Sequence, residues 1–347
     1  MTSTWSPVGA REVRVGLIGL GSMGRNHLRV LGGMPDVRLA AIADPDDTAL
    51  AAAASGAQAF SEPLTMLAET DLDAVVIASP TMTHLPLTLA AIGRSIAVLV
   101  EKPLAATPAE ADLIVAAAAQ LGAPPVQVGH VERFNPAVLE LARLVDAGWL
   151  STVFAISGRR AGAFPARIRD VGVTVDLATH DVDLLSWIAG ERPVRVSAET
   201  AQRIHATHED LLFGLMSFPS GTVAMLDVDW LTPVKRRHLS VVGEEGMFEL
   251  DYLTQRLTFA RASDRTNPLL IRGYAPNFSG DVEVLPVASS EPLAAELAAF
   301  VGVVRTGMRP FINAEDGRWA VVVADALLTA AREHRTVVVN GEFAKSG

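Results

Sequence analysis

The stretch Val13-Arg14-Val15-Gly16-Leu17-Ile18-Gly19-Leu20-Gly21-Ser22-Met23-Gly24 decides the fold. Val13–Ile18 is a short, β-rich apolar run of the kind that forms a buried strand. It passes directly into Gly19-x-Gly21-x-x-Gly24, and a helical stretch, Met23–Leu31, opens inside that motif. The first glycine permits a tight turn, the second lets the backbone approach a pyrophosphate, and the third lets helix and strand pack closely. The helix N-terminus adds N–H groups and the positive end of its dipole. Gly19, Gly21, Ser22, Met23 and Gly24 are therefore expected to contact a dinucleotide.

A lone glycine motif is weak, but here a second signal supports it. Asp44 ends the next β-rich run, Val37–Ala43, at about the 20-residue spacing of the acid that holds the adenosine ribose. A carboxylate there accepts hydrogen bonds from the 2′- and 3′-hydroxyls and repels a 2′-phosphate, so NAD is expected rather than NADP. The plainer alternative is a glycine turn with Asp44 as a helix N-cap ahead of Pro45.

Outward from this motif the pattern repeats. The runs Ala74–Ala78, Ile96–Val100 and Val126–Val128 alternate with helical stretches Asp46–Ala54, Leu85–Ile92 and Pro108–Leu121. Apolar strands alternating with helices predict an α/β Rossmann domain, a doubly wound parallel sheet, over residues 13–131. After Asn135 the grammar changes. Helices are expected over Pro136–Ala147 and Val175–Ala189. The runs Val194–Ile204, Leu211–Phe218, Thr222–Trp230, Arg237–Val242 and Met247–Leu250 follow, separated by turn residues, and two closing helices come last, Pro292–Thr306 and Ala314–His334. This predicts an α+β C-terminal domain, residues 132–347, with a large, mostly antiparallel sheet. Residues 1–12 read as a flexible tail, not a signal peptide.

Composition agrees and sets limits. A chain of 347 residues exceeds the usual span of one core. A formal net charge of −10 argues against a nucleic-acid binder. No apolar run reaches a membrane span. The absence of cysteine fits a reducing, cytoplasmic location and excludes thiolate chemistry.

Chemistry is expected where parallel strands end. Ser79-Pro80-Thr81-Met82-Thr83-His84 follows Ala74–Ala78, and Glu101-Lys102-Pro103 follows Ile96–Val100. Lys102 is read as a cleft residue, a point-charge donor that stabilises negative charge on a substrate oxygen; the plain alternative is a surface ion pair. Further on, Asp176 and His180 stand four apart on a predicted helix and share a face. A histidine beside a carboxylate suits a general base removing a hydroxyl proton. A structural helix pair and a metal site compete with that reading; no third ligand stands at suggestive spacing, so no metal is expected. His205 and His208 are read as a hairpin tip.

In order, Gly19-x-Gly21-x-x-Gly24, Ser79-Pro80-Thr81-x-x-His84, Glu101-Lys102-Pro103, Arg133-Phe134-Asn135-Pro136 and Asp176-x-x-x-His180-Asp181 resemble the signature of the Gfo/Idh/MocA oxidoreductases. The likeness covers nearly the whole chain. It implies an NAD(P)-dependent enzyme acting on a sugar, sugar derivative or cyclitol. Lys102, Asp176 and His180 would contact substrate as the catalytic residues. Ser79, Pro80, Thr81, His84, Glu101 and Lys102 would line the cofactor, with Pro80, Thr81 and Glu101 at the nicotinamide ribose. The segment Val128–Pro136 looks most like members that oxidise the 3-hydroxyl of UDP-N-acetylglucosamine, which adds His130 and Arg133 to the expected substrate contacts. The arginines Arg159, Arg160, Arg167 and Arg169 suggest an anionic ligand, with Arg160 and Arg167 as substrate contacts, or else a solvated loop. An inositol or sugar-phosphate dehydrogenase is the enzymatic alternative, and an idle dinucleotide sensor the non-enzymatic one. Leu215, Phe218, Val223, Met225, Val228 and Trp230 predict a homodimer or homotetramer packed through the sheet, or a sheet that faces its own helices.

Overall fold

The computed structural model describes residues 4–53, 56–165, 171–262 and 282–339. They fall into two compact units, Met1–Phe134 with Glu291–Val322, and Asn135–Ser290 with Val323–Gly347.

The first unit holds six parallel strands: β1 (Val13–Ile18), β2 (Val37–Ala43), β3 (Gln58–Phe60), β4 (Ala74–Ile77), β5 (Ala97–Glu101) and β6 (Val126–Gly129). Their order in the sheet is β3-β2-β1-β4-β5-β6. The chain thus reverses direction across the sheet between β1 and β4, which is where such sheets bind ligands. Helices α1 (Ser22–Gly32), α2 (Asp47–Ala53), α3 (Pro63–Glu69), α4 (His84–Gly93) and α5 (Pro108–Ala118) connect the strands. Strands β4 and β5 are buried along their whole length, as expected for a sheet covered on both faces.

Two expectations are corrected in this unit. The helix α8 (Pro292–Thr306) was assigned with the C-terminal domain, yet it packs its Leu293, Leu297, Phe300 and Val304 in one cluster with Leu17, Val76 and Leu99. Residues 4–12, expected as part of a flexible tail, are also docked. The N–H of Trp5 donates to the Gly122 carbonyl at 3.0 Å, and those of Val8 and Gly9 donate to Val304 and Arg305.

The second unit contains α6 (Pro136–Asp146), β7 (Val153–Ala163), a helix described below, and a sheet built with β8 (Arg195–Ala201), β9 (Leu211–Ser217), β10 (Val223–Asp229), β11 (Leu231–Gly243), β12 (Gly246–Asp251), β13 (Arg256–Arg261), β14 (Val282–Leu285) and β15 (Val337–Val338). The order is β14-β13-β12-β11-β7-β10-β9-β8-β15, antiparallel except that β7 and β10 run parallel. The last helix, α9 (Ala314–Glu333), spans the boundary between the units.

Alternation sorts the apolar side chains of this sheet into two sets. Phe218, Val228 and Trp230 are buried, whereas Leu215, Val223 and Met225 are 44–50% exposed. The six residues expected on one oligomerising face therefore divide between the core and an outer face. Among the described residues no helix is long and apolar enough to cross a membrane.

Candidate active site

The glycine turn forms as its residue types require. Gly19 has φ +89°, and a Cβ there would sit 2.5 Å from the Ala78 carbonyl oxygen. A Cβ on Gly24 would lie 1.8 Å from the carbonyl oxygen of Gly19. Gly21 is different: nothing stands within 4 Å of its would-be Cβ, and it is the N-cap of α1 with no side chain to satisfy the first amides. This geometry presents N–H groups to an anion in an open approach.

Asp44 joins that turn. Its Oδ2 accepts the Leu20 N–H at 2.6 Å and its Oδ1 accepts the Asp46 N–H at 2.9 Å. The first turn of α2 is held instead by Asp46, whose Oδ1 accepts the Thr48 N–H. The helix-cap alternative for Asp44 is thereby set aside. Its carboxylate links the end of β2 to the loop after β1, the two places where a dinucleotide's ribose and pyrophosphate are held.

The next two loops leave β4 and β5 at the same edge of the sheet. Ser79 and Thr83 hydroxyls lie 2.6 Å apart, and the Thr83 hydroxyl donates to the Pro80 carbonyl, closing a short 3₁₀ turn over Thr81–Thr83. Pro80 is exposed, and Ser79 and Thr81 are half-buried. His84 departs from expectation. It is buried, with Nδ1 2.8 Å from the Pro103 carbonyl and Nε2 3.0 Å from the Ser79 carbonyl. Burial pushes its imidazolium below the usual range, against the opposing pull of the two carbonyls. A neutral ring donates through only one nitrogen, and the shorter contact to Pro103 is the better donor site. His84 thus braces one loop against the other from inside.

In the Glu101-Lys102-Pro103 turn, Glu101 Oε1 lies 2.7 Å from His27 Nε2, and Oε2 accepts the Lys102 N–H at 3.2 Å. Lys102 is half-buried. After β6, His130 and Arg133 are buried, and Arg133 pairs with Asp316 at 3.9 Å. The segment folds as a 3₁₀ turn, Val131–Phe134. His130 and Arg133, expected as substrate contacts, thus lie in the interior at the end of β6.

Asp176 and His180 belong to the second unit. The predicted helix is present, but its first turn is a π-helix, Thr174–Ala178, which continues into α7 (Thr179–Ala189). Such turns are uncommon and concentrate at functional sites. Asp176 lies in the π turn and His180 in the first turn of α7, both half-buried. Two contacts that the sequence did not reveal hold this helix. Glu209 accepts the Val173 N–H on its backbone carbonyl and the Thr174 N–H on Oε1 at 3.1 Å. Gly172 lies against it: a Cβ there would come within 2.2 Å of the Glu209 carboxyl, so that side chain would have to move. Underneath, Arg160 Nε donates to Asp181 Oδ2 at 2.8 Å and its terminal nitrogen to Oδ1 at 3.2 Å, with both side chains buried.

That pair corrects the reading of Arg160 as an anion-binding residue. Neighbouring strand residues point to opposite faces, so Arg160 turns inward to Asp181 while Arg159 turns outward, 3.2 Å from Asp227. Arg167 and Arg169 lie outside the described residues. His205 closes its loop by accepting the N–H groups of Thr207 and His208 on Nδ1, at 3.2 and 3.0 Å. Among the described residues no three His, Asp or Glu side chains gather as a metal site.

A doubly wound sheet with a glycine turn at its switch point, joined to a large mostly antiparallel sheet, defines a dinucleotide-dependent oxidoreductase architecture. Comparison with known proteins makes the assignment specific. Residues 13–130 match the Gfo/Idh/MocA oxidoreductase family's NAD-binding Rossmann fold, and residues 138–249 match the Gfo/Idh/MocA C-terminal domain. The chain belongs to this family. It is 35% identical over 196 residues to inositol 2-dehydrogenase 2 of Saccharopolyspora erythraea, a match spanning 55% of this chain and 58% of that protein. Inositol 2-dehydrogenase 1 of the same organism is 29% identical over 94% of this chain and 96% of its own length. Among solved structures, the UDP-N-acetylglucosamine 3-dehydrogenase of Acidithiobacillus ferrooxidans superposes with a TM-score of 0.81 at 25% identity, covering 93% of this chain and 98% of the other.

Proposed function

We propose that this chain is an NAD-dependent dehydrogenase that interconverts a secondary hydroxyl and a ketone on a sugar, sugar nucleotide or cyclitol. One observation carries the reading. The glycine turn, Asp44 and the Glu101-Lys102-Pro103 turn all leave the same edge of one parallel sheet, in a chain of a family whose N-terminal domain binds NAD. NAD, when bound, supplies the hydride acceptor. Asp44 favours it over NADP, because a carboxylate at this place repels a 2′-phosphate. On the protein side, His180 takes the hydroxyl proton, Lys102 donates to the oxygen as charge develops on it, and Asp176 holds a neighbouring hydroxyl.

Two substrate classes compete. Similarity to a UDP-N-acetylglucosamine 3-dehydrogenase along 93% of the chain supports the 3-hydroxyl of such a sugar nucleotide. The inward turn of Arg160 removes one support for an anionic ligand, and the inositol dehydrogenases among the relatives favour an uncharged cyclitol. A panel of UDP-N-acetylglucosamine, myo-inositol and sugar phosphates with NAD+, followed by nicotinamide absorbance, decides between them. Turnover of one class establishes it. NAD+ binding with no turnover on any polyol would make the chain a sensor and overturn the proposal.

The outer face of the sheet in the second unit supports self-association. Phe213, Leu215, Val223 and Met225 are exposed on β9 and β10. Beside them, Arg159, His238, Asp251 and Arg256 follow one another in register across four strands. Charged groups of both signs beside an apolar patch suit a symmetric interface between copies of the chain.

A further inference from the structure

Ala97, Leu99 and Glu101 alternate onto one face of β5. Ala97 and Leu99 pack on that face against Leu293, Leu297 and Phe300 of α8. Glu296 sits on the same apolar stripe of α8, one turn from Leu293 and from Phe300. It has no exposure to solvent, and neither oxygen of its carboxyl has a hydrogen-bond partner. Gln127 of β6 ties this turn of α8 to the sheet by donating its Nε2 to the Glu296 carbonyl at 3.4 Å. From α1, the fully buried His27 meets Glu101 at 2.7 Å. Gly129, the register partner of Glu101, leaves room for this arrangement, since a Cβ there would lie 3.1 Å from the Glu101 carboxyl.

Two carboxyls in one interior region cannot both ionise cheaply. Burial first, and then the charge of Glu101, push Glu296 well above the usual carboxylate range. Helix α8 also packs on α1, β1 and the Val131–Phe134 turn. The arginines these elements bring are engaged elsewhere: Arg14 with Asp71 and Asp73, Arg25 with the Leu20 carbonyl, Arg29 with Glu291, and Arg133 with Asp316.

We propose that Glu296 holds a proton in the folded protein and, with His27, acts as a positioning residue for Glu101 at the mouth of β5. The Glu101 carboxylate is then held by the His27 imidazole, with a neutral acid in place of a second charge in the core behind it, and the Lys102 amide it accepts is fixed with it. The positioning half of this proposal rests on the dehydrogenase reading; the proton half does not.

The proton is tested on the protein without cofactor. Infrared difference spectra of wild type minus Glu296→Gln, at neutral pH, are expected to show the carbonyl band of a protonated carboxyl that shifts in D2O. Denaturation across pH gives a second readout. The folded acid keeps a proton that the unfolded chain releases, so wild-type stability falls as pH rises above the usual carboxylate range. Relative to Glu296→Gln, the wild-type unfolding constant should rise by up to about tenfold per pH unit there. No carbonyl band and parallel pH profiles would overturn the proton assignment.

Positioning is tested by NAD+ titration of folded variants. Glu296→Ala and His27→Ala are each expected to weaken NAD+ binding about tenfold, which corresponds to about 1.4 kcal/mol of lost positioning. Glu296→Gln, which mimics the neutral acid, should restore most of that loss. Unchanged affinity in both alanine variants would overturn the positioning role alone, while wild-type protein that binds no NAD+ would defeat the dehydrogenase reading instead.

Discussion

Replacing Asp181 with alanine tests how the helix bearing His180 is held. The Arg160–Asp181 pair makes two hydrogen bonds of 2.8 and 3.2 Å, and the side chains are 4% and 1% exposed. Asp181→Ala leaves the guanidinium buried without its counter-charge, which costs about 3–5 kcal/mol. That is a large part of the 5–15 kcal/mol or so that a domain has in total. With a urea dependence of about 3 kcal/mol per molar, the midpoint should fall by about 1 M or more. Turnover should fall as well, because Asp181 adjoins His180 in α7, while NAD+ affinity, a property of the first unit, stays near wild type. Replacing both partners with apolar residues, Arg160→Met with Asp181→Leu, should recover most of the stability. A loss below about 0.5 kcal/mol in Asp181→Ala would mean that the pair behaves like an exposed one and that something else anchors the helix.

Other consequences are as concrete. Gly24→Ala places a Cβ 1.8 Å from the Gly19 carbonyl oxygen, so NAD+ affinity measured by fluorescence titration should fall by at least about 100-fold, the scale of a few kcal/mol of strain; wild-type affinity would contradict the turn geometry. Asp73 is pushed up by burial, but hydrogen bonds from Arg14 and Arg11 overcome this and hold it at about 2. Its contribution of about 2 kcal/mol is present above the unfolded value of 3.8 and is lost as pH falls through about 2. Acid unfolding of Asp73→Asn should therefore be flatter across that window, and an unchanged profile would remove the ion pair from the account. If copies of the chain associate through the exposed sheet face, Leu215→Glu should lower the mass seen by light scattering, and an unchanged mass would rule that face out as an interface.

The first unit was legible because its signals are local. Strands β1 and β2 match the sequence reading residue for residue, since each apolar run ends at a turn residue, Gly19 or Asp44. The strand β7 was not legible. Its centre, Ser157-Gly158-Arg159-Arg160, offers no apolar alternation, and Arg160 is tolerable in the core only because Asp181 meets it from 21 residues away. A basic cluster and a strand with one charge on each face look alike until the partner is known. The π turn was hidden for a related reason: Glu209, a loop residue, organises it from 35 positions away. Glu296 and His27 did leave a signal. Glu296 falls on the stripe Leu293, Leu297, Phe300, and His27 on the stripe Gly24, Val30, Leu31, so each is a polar residue on a buried helix face.

The central claim is that one part of the chain holds NAD while Lys102 and His180 perform proton and charge handling on the substrate. Lys102→Ala and His180→Ala, each confirmed folded by circular dichroism, should be titrated with NAD+ and assayed on the substrate found by the panel. The account predicts NAD+ dissociation constants within a few-fold of wild type and turnover reduced by at least about 100-fold, the usual scale for a positioned acid–base group. Wild-type turnover in both variants, or NAD+ binding lost in step with activity, would contradict it.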